Sequence, residues 1–155
     1  MDFKDIRQVR EIMRQLQRNL SWQSKSDAAC CSITLAQCHA LLEIGKNSEI
    51  SLVDLASALG LDNSTLSRTI DGMVKAGLVK RRSNPEDRRY LKISLTRKGK
   101  NLFDNINCTF DQYYSYIFAN IPSEKHQQVI ESLGLLAEAI AESNNSECCR
   151  EEMKL

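Results

Sequence analysis

Residues 51–95 read SLVDLASALG LDNSTLSRTI DGMVKAGLVK RRSNPEDRRY LKISL, and this stretch decides the fold. Ser51-Leu52-Val53-Asp54 has the form of a capping box. It predicts a helix that buries Leu52, Leu55, Ala56 and Leu59 on one face until Gly60 ends it. Asp62-Asn63-Ser64-Thr65 supplies another N-cap, and Leu66, Ile70, Met73 and Val74 recur at helical spacing as the buried face of a second helix stopping at Gly77. Two helices joined by Gly60-Leu61 have helix-turn-helix spacing.

After Gly77 the pattern changes. Leu78-Val79-Lys80-Arg81-Arg82 and Tyr90-Leu91-Lys92-Ile93-Ser94-Leu95 have strand-like content, and Asn84-Pro85-Glu86-Asp87 between them is turn chemistry, so a basic β-hairpin follows. A helix-turn-helix continued by such a hairpin is a winged helix, in which a helix fits the DNA major groove and the wing lies over the flanking backbone and minor groove. With the apolar face turned inward, Ser64, Thr65, Ser67, Arg68 and Asp71 remain for the outer face. Small hydroxyls there suit phosphates and base edges, and Arg68 can reach a guanine or a phosphate. The alternative is the solvated face of a protein-binding module, which a DNA affinity falling steeply with salt would exclude.

Outward from this centre, Thr34-Leu35-Ala36-Gln37 is a further capping box. It opens a helix from 35 to about 45, with Leu35, Leu41, Leu42 and Cys38 facing in. Ile6, Val9, Met13, Leu16 and Leu20 form an apolar stripe opposite Arg7, Arg10, Arg14 and Arg18, predicting an amphipathic helix over residues 3–22. The small, polar run from Ser24 to Ser32 reads as a loop. Beyond the wing, Thr96 can cap a helix containing Leu102, Phe103, Ile106, Phe110, Tyr113, Tyr114 and Ile117. Pro122-Ser123 opens a last helix with Val129, Ile130, Leu133, Leu136 and Ile140 on one face, and the polar residues from Ser143 onward predict a mobile tail.

The chain has 155 residues, 42% of them apolar and 26% charged, which is room for one domain with a dimerisation element and excludes both a large multidomain enzyme and a disordered chain. Only two Pro and six Gly favour helix over an all-β fold. The formal net charge is only +1, yet Leu78–Lys100 holds nine basic residues against two acidic ones, while Asn120–Leu155 holds seven Glu against three basic residues. A basic centre with an acidic end predicts a localised polyanion-binding surface. No apolar run approaches the roughly 20 residues that span a bilayer, and Met1–Asp5 lacks the order of a secretory signal, so a cytoplasmic protein with no membrane partner is expected.

The same residues resemble the multiple-antibiotic-resistance regulator (MarR) family of dimeric winged-helix transcription factors. The resemblance runs through Leu35 and Gln37 with Leu41-Leu42, then Leu55-Ala56 and Leu59, Ser64-Thr65-Leu66-Ser67-Arg68, Gly77-Leu78-Val79, Asn84-Pro85-Glu86-Asp87-Arg88-Arg89, and Leu95-Thr96-x-x-Gly99. It implies that Arg89, at the family's wing-tip position, enters the minor groove while Asp87 orients it and Arg88 lies near the backbone. A weakly hydrated guanidinium suits a narrow, electronegative groove. It further implies that the terminal helices interlock about a two-fold axis, which places two heads on a near-palindrome.

Six cysteines depart from the usual family pattern. Cys30 and Cys31 are adjacent before the second helix, Cys38 lies in its first turn, Cys108 is in the fifth helix, and Cys148 and Cys149 are adjacent in the tail. Vicinal thiols with a third thiolate can bind a soft metal or metalloid ion, so Cys30, Cys31 and Cys38 are a candidate metal or oxidant sensor, with Cys148 and Cys149 as further candidates. The plain alternative is that a buried Cys serves as a small hydrophobe.

No phosphate loop, nucleophile elbow or His-Glu-x-x-His motif is present, and a thiol-dependent enzyme would have only Lys25 and His39 near its cysteines. The expected molecule is mainly α with a small β-hairpin wing, a winged helix-turn-helix with N- and C-terminal dimerisation helices. Residues 1–33 are the dimerisation helix and loop, 34–98 the DNA-binding domain, and 99–155 the C-terminal dimerisation helices and tail. Its expected role is a non-enzymatic dimeric regulator, a repressor released from a pseudo-palindromic operator by cysteine sensing of a soft metal, metalloid or oxidant. No cofactor is obligatory. The alternative effector is a small aromatic or anionic ligand in a cleft between the dimer helices and the DNA-binding head. Its partners would be double-stranded DNA, a second copy of the chain and that small effector.

Overall fold

A computed structural model describes residues 2–30, 33–83 and 91–145. In chain order the elements are α1 (Phe3–Cys30), α2 (Leu35–Asn47), β1 (Ile50–Ser51), α3 (Leu52–Leu59), α4 (Asn63–Lys75), β2 (Val79–Ser83), β3 (Leu91–Leu95), α5 (Arg97–Ala119), a 3-10 turn (Ser123–Lys125) and α6 (His126–Asn145). Two compact units meet in the sequence after Ile106.

Local chemistry sets the helix starts. Thr34 accepts from the Gln37 amide while Gln37 Oε1 accepts from the Thr34 amide, so the capping box at α2 forms in both directions. Ser51 accepts from the Asp54 amide and donates its own hydroxyl proton to the Asp54 carboxylate at 2.6 Å. Gly60 closes α3 in the left-handed conformation at φ 62°, which a side chain would oppose.

In the first unit, α2, α3 and α4 pack on a small antiparallel sheet ordered β1-β3-β2. Leu41, Ile44, Leu55, Leu66, Ile70, Met73 and Ile93 are fully buried and form its core. The hairpin register runs from Val79 opposite Leu95 to Ser83 opposite Leu91. A third strand joins the expected pair, since Ile50 and Ser51 pair with Ile93 and Lys92. Two residues are too few to carry a strand periodicity, so only the neighbouring edge of β3 reveals them.

Several expectations are corrected. The helix expected over 3–22 continues to Cys30, because Ser21–Cys30 contains neither Gly nor Pro and includes Ala28 and Ala29; Cys30 therefore ends a helix instead of sitting in a loop. α2 passes through Gly45 to Asn47. A Cβ at Gly45 would collide with the Phe103 ring, so this glycine gives α5 room against α2. Leu35 and Val74 are exposed and Leu42 is half-buried, so the apolar spacing of α2 and α4 overstates the width of the face that is actually covered. α6 runs two residues past Ser143, to Asn145.

The start of α5 grips the turn between α4 and β2. Thr96 accepts from the Gly99 amide at 3.0 Å and donates its hydroxyl proton to Gly77 O at 2.6 Å, and its amide donates to Leu78 O at 3.0 Å. Lys98 Nζ donates to Ala76 O at 2.9 Å, satisfying a carbonyl at the end of α4. A Cβ on Gly99 would overlap the Leu78 carbonyl oxygen. The spacing Leu-Thr-x-x-Gly thus has a mechanical reason: a cap three residues ahead of a position with no side chain lets two backbones touch.

In the second unit, the His126 ring bridges the α5–α6 turn. Its Nε2 lies 3.0 Å from Phe118 O and 2.9 Å from Ile121 O; both partners are acceptors, so this nitrogen carries the proton. The ring stands edge-on to Phe118 with centroids 5.1 Å apart.

Gly99→Ala is expected to destabilise the head by about 1–3 kcal/mol through overpacking against Leu78. Urea unfolding at equal m-value measures this; an unchanged midpoint would show that the two backbones can separate freely.

Candidate nucleic-acid interface

α4 is held at both ends and by one flank. At its start Asp62 accepts from Ser64 Oγ at 2.6 Å and from the Thr65 amide at 2.9 Å. The Ser64 hydroxyl first, and then Thr65, hold the Asp62 carboxyl well below the usual carboxylate range. Ser64 thus spends its proton on the cap and keeps only lone pairs outward. Thr69 returns its hydroxyl proton to Thr65 O at 3.1 Å.

With Leu66, Ile70 and Met73 inside, the exposed side of α4 carries Ser64, Thr65, Arg68 and Asp71, while Ser67 is half-buried. The structure therefore brings these five expected residues onto one face. Asp87, Arg88 and Arg89 lie outside the described residues.

One residue that sequence reading counted only as charge has a defined place. Arg81 of β2 reaches across to α4, with Nη1 2.7 Å from Asp71 Oδ1 and Nη2 donating to Ser67 O at 3.4 Å. A signal for it existed: Arg81 is two residues from buried Val79, hence on the strand face turned toward the head, whereas Lys80 and Arg82 alternate to the exposed side. Lys98, also counted in the basic centre, has its ammonium on Ala76 O. Among the described cations of this stretch, Arg81 and Lys98 thus help build the head, whereas Lys80 and Arg82 of β2 face solvent.

A cleft of about 400 Å³ lies between the end of α2, the end of β3 and the first turns of α5. Ile44, Leu95 and Phe103 form an apolar wall, and Arg97 and Lys100 stand at its edge.

The cysteines divide differently. Cys38 is buried at 5% exposure, while Cys108 is exposed and accepts from Gln112 Nε2 at 3.7 Å. Cys31, Cys148 and Cys149 lie outside the described residues, and for Cys30 the helix alone is described. Among the described residues, no group of three His, Cys, Asp or Glu side chains is placed to hold a metal ion, and no helix is long and apolar enough to cross a membrane.

The sequence profile of the MarR family matches residues 33–91, from just before α2 to the first residue of β3. The HTH-type transcriptional regulator BilQ of Clostridioides difficile is 24% identical over 135 residues, covering 86% of this chain and 91% of its own. A MarR family protein from Bacillus stearothermophilus superposes with a TM-score of 0.82 at 18% identity, covering 91% of this chain and 99% of the other. NadR, in complex with 4-hydroxyphenylacetate, superposes with a TM-score of 0.70 at 25% identity, covering 83% of this chain and 92% of its own. With this hairpin register and this Thr96–Gly99 grip, the chain matches the MarR family profile over residues 33–91 and shares the winged-helix fold of the solved MarR-type structures.

Proposed function

We propose that the chain works as a homodimeric repressor: two heads, residues 34–98 of each copy, occupy a pseudo-palindromic operator, and a small ligand releases them. The observation that carries this reading is the single face of α4 bearing Ser64, Thr65, Ser67 and Arg68 beside the solvent-facing Lys80 and Arg82. Arg68 reads a base edge, the Ser67 hydroxyl and the wing cations hold phosphates, Ser64 and Thr65 offer lone pairs to base-edge donors, and Arg89, oriented by Asp87 with Arg88 beside it, enters the minor groove.

Arg68→Ala is expected to relax preference at one half-site base with a loss of about 1–3 kcal/mol, and Arg89→Ala to weaken binding to every sequence. Titrations against duplexes from a randomised library measure both. Unchanged affinity in both variants would end the winged-helix reading.

Dimerisation is supported by apolar side chains that stay exposed among the described residues. Ile6, Val9, Ile12, Leu16 and Leu20 lie exposed on α1, and Ile130, Leu133, Leu135 and Ile140 on α6. Water-facing stripes of this length mark protein interfaces, and residues 1–33 and 99–155 supply them. Sedimentation at micromolar concentration is expected to give a dimer. A stable intact monomer would overturn this part.

For the effector, the cleft beneath Arg97 and Lys100 supports a small aromatic anion, with Phe103 and Leu95 taking the ring and the cations the carboxylate. The NadR complex with 4-hydroxyphenylacetate pairs a similar fold with a ligand of that chemistry. The thiol reading, a soft ion or oxidant at Cys30, Cys31 and Cys38 with Cys148 and Cys149, has to open the head to reach buried Cys38, so it stands second. In a panel of aromatic carboxylates begun with 4-hydroxyphenylacetate, an active compound is expected to weaken DNA binding by a coupling of about 1–3 kcal/mol. Substituting Lys100 by Met is expected to reduce that response. A response to thiophilic metal or peroxide alone, abolished by Cys→Ser at positions 30, 31 and 38, would replace the cleft with the cysteines.

A further inference from the structure

Asp71 presents a difficulty for the proposed DNA surface. It stands one turn beyond Ser67 on the exposed side of α4, with half its side-chain surface open, and a carboxylate directed at a polyanion opposes docking. Helix interiors tolerate many polar residues at such a site, so helix formation does not require an acid there.

The structure supplies its counter-charge from another element. Arg81 Nη1 sits 2.7 Å from Asp71 Oδ1, and Nη2 donates to Ser67 O at 3.4 Å, so one guanidinium fork spans a full turn of α4. Its placement is determined before any ligand arrives. Arg81 pairs in register with Ile93, which is 1% exposed, and only 29% of the Arg81 side-chain surface remains open. Lysine has one ammonium and could not hold both points. As a stabiliser of the free protein, a partly exposed ion pair of this kind contributes little. Its consequence arises when DNA covers the face and strips water from the carboxylate, since a charge left unpaired in a closing interface is strongly disfavoured.

We infer that Arg81 is a positioning residue for DNA recognition: it neutralises and holds Asp71, so that the outer face of α4 meets phosphates without a bare carboxylate. This rests on the DNA-binding reading above. Arg81 itself does not touch DNA. Lys80 and Arg82, on the opposite strand face, carry the phosphate contacts.

The experiment uses the full chain, the tightest duplex selected by the parent protein from a randomised library, and the variants Arg81→Met, Asp71→Asn and the double substitution. Arg81→Met is expected to lower affinity by about 30-fold or more, as for loss of one partner of a buried charge pair. Its melting temperature should stay close to the parent's. Asp71→Asn alone should change affinity little, and the double variant should recover most of the lost affinity, because no carboxylate is left to expose. The slope of log affinity against log salt should be the same for parent and double variant.

If Arg81 instead contacts a phosphate, the loss persists in the double variant and the salt slope falls by about one; that result overturns the inference. Should Arg81→Met fail to fold, Arg81→Gln with and without Asp71→Asn applies the same criterion, and absence of rescue again overturns it. A parent protein with no salt-dependent affinity for any duplex would overturn the DNA-binding reading as well, whereas binding without rescue removes the inference alone.

Discussion

The close approach of α5 to the turn between α4 and β2 is the contact on which the head's construction depends. It exists because Gly99 has no side chain, so the Leu78 carbonyl can lie against the first turn of α5. Thr96 then joins both backbones, capping α5 through the Gly99 amide and donating to Gly77 O. Lys98 adds a bond to the last turn of α4. Three separate polar contacts at one junction leave few ways for α5 to turn at its start without carrying the end of α4. The cleft bounded by Arg97, Lys100 and Phe103 lies on these same first turns of α5, which is where a small displacement would act on α4 most directly.

Charge is distributed by task. A count along the basic stretch makes its cations equivalent, but their ladder positions and partners separate them. Arg81 faces inward and is committed to Asp71 and Ser67, and Lys98 is committed to Ala76. Lys80, Arg82 and Arg68 stay open to solvent. The anions follow the same logic: Asp62 is spent on the amide and hydroxyl groups that begin α4, and Asp71 on Arg81. Among the described residues, the two carboxylates that adjoin the outer face of α4 therefore each have a donor within hydrogen-bonding distance.

Apolar surface tells a complementary story. The head closes its own core, using Cys38 there as one small side chain among Leu41, Ile44 and Leu55. Among the described residues, the apolar side chains Ile6, Val9, Ile12, Leu16 and Leu20 of α1 and Ile130, Leu133, Leu135 and Ile140 of α6 stay exposed, so burial in the head does not extend to them.

What was legible in the sequence is what depends on residues three or four apart. The caps at Thr34, Ser51 and Asp62, the stop at Gly60, the hairpin and the inward set Leu66, Ile70 and Met73 all follow from local hydrogen bonding and from periods of 3.6 and 2. The outer face of α4 followed by subtraction. The sequence alone did not indicate β1, whose two residues become a strand only beside β3, or the full length of α1, whose polar end lacked a breaker but looked like a loop. It misjudged Leu35 and Val74 because apolar spacing does not fix the width of the face that is actually covered. The partners of Arg81, Lys98 and Gly99 were also hidden. Each of them meets residues ten to twenty-two positions away, and a contact of that kind has no period in the chain; it exists only after the core of Leu41, Leu66 and Ile93 has brought α4, the wing and α5 to one place.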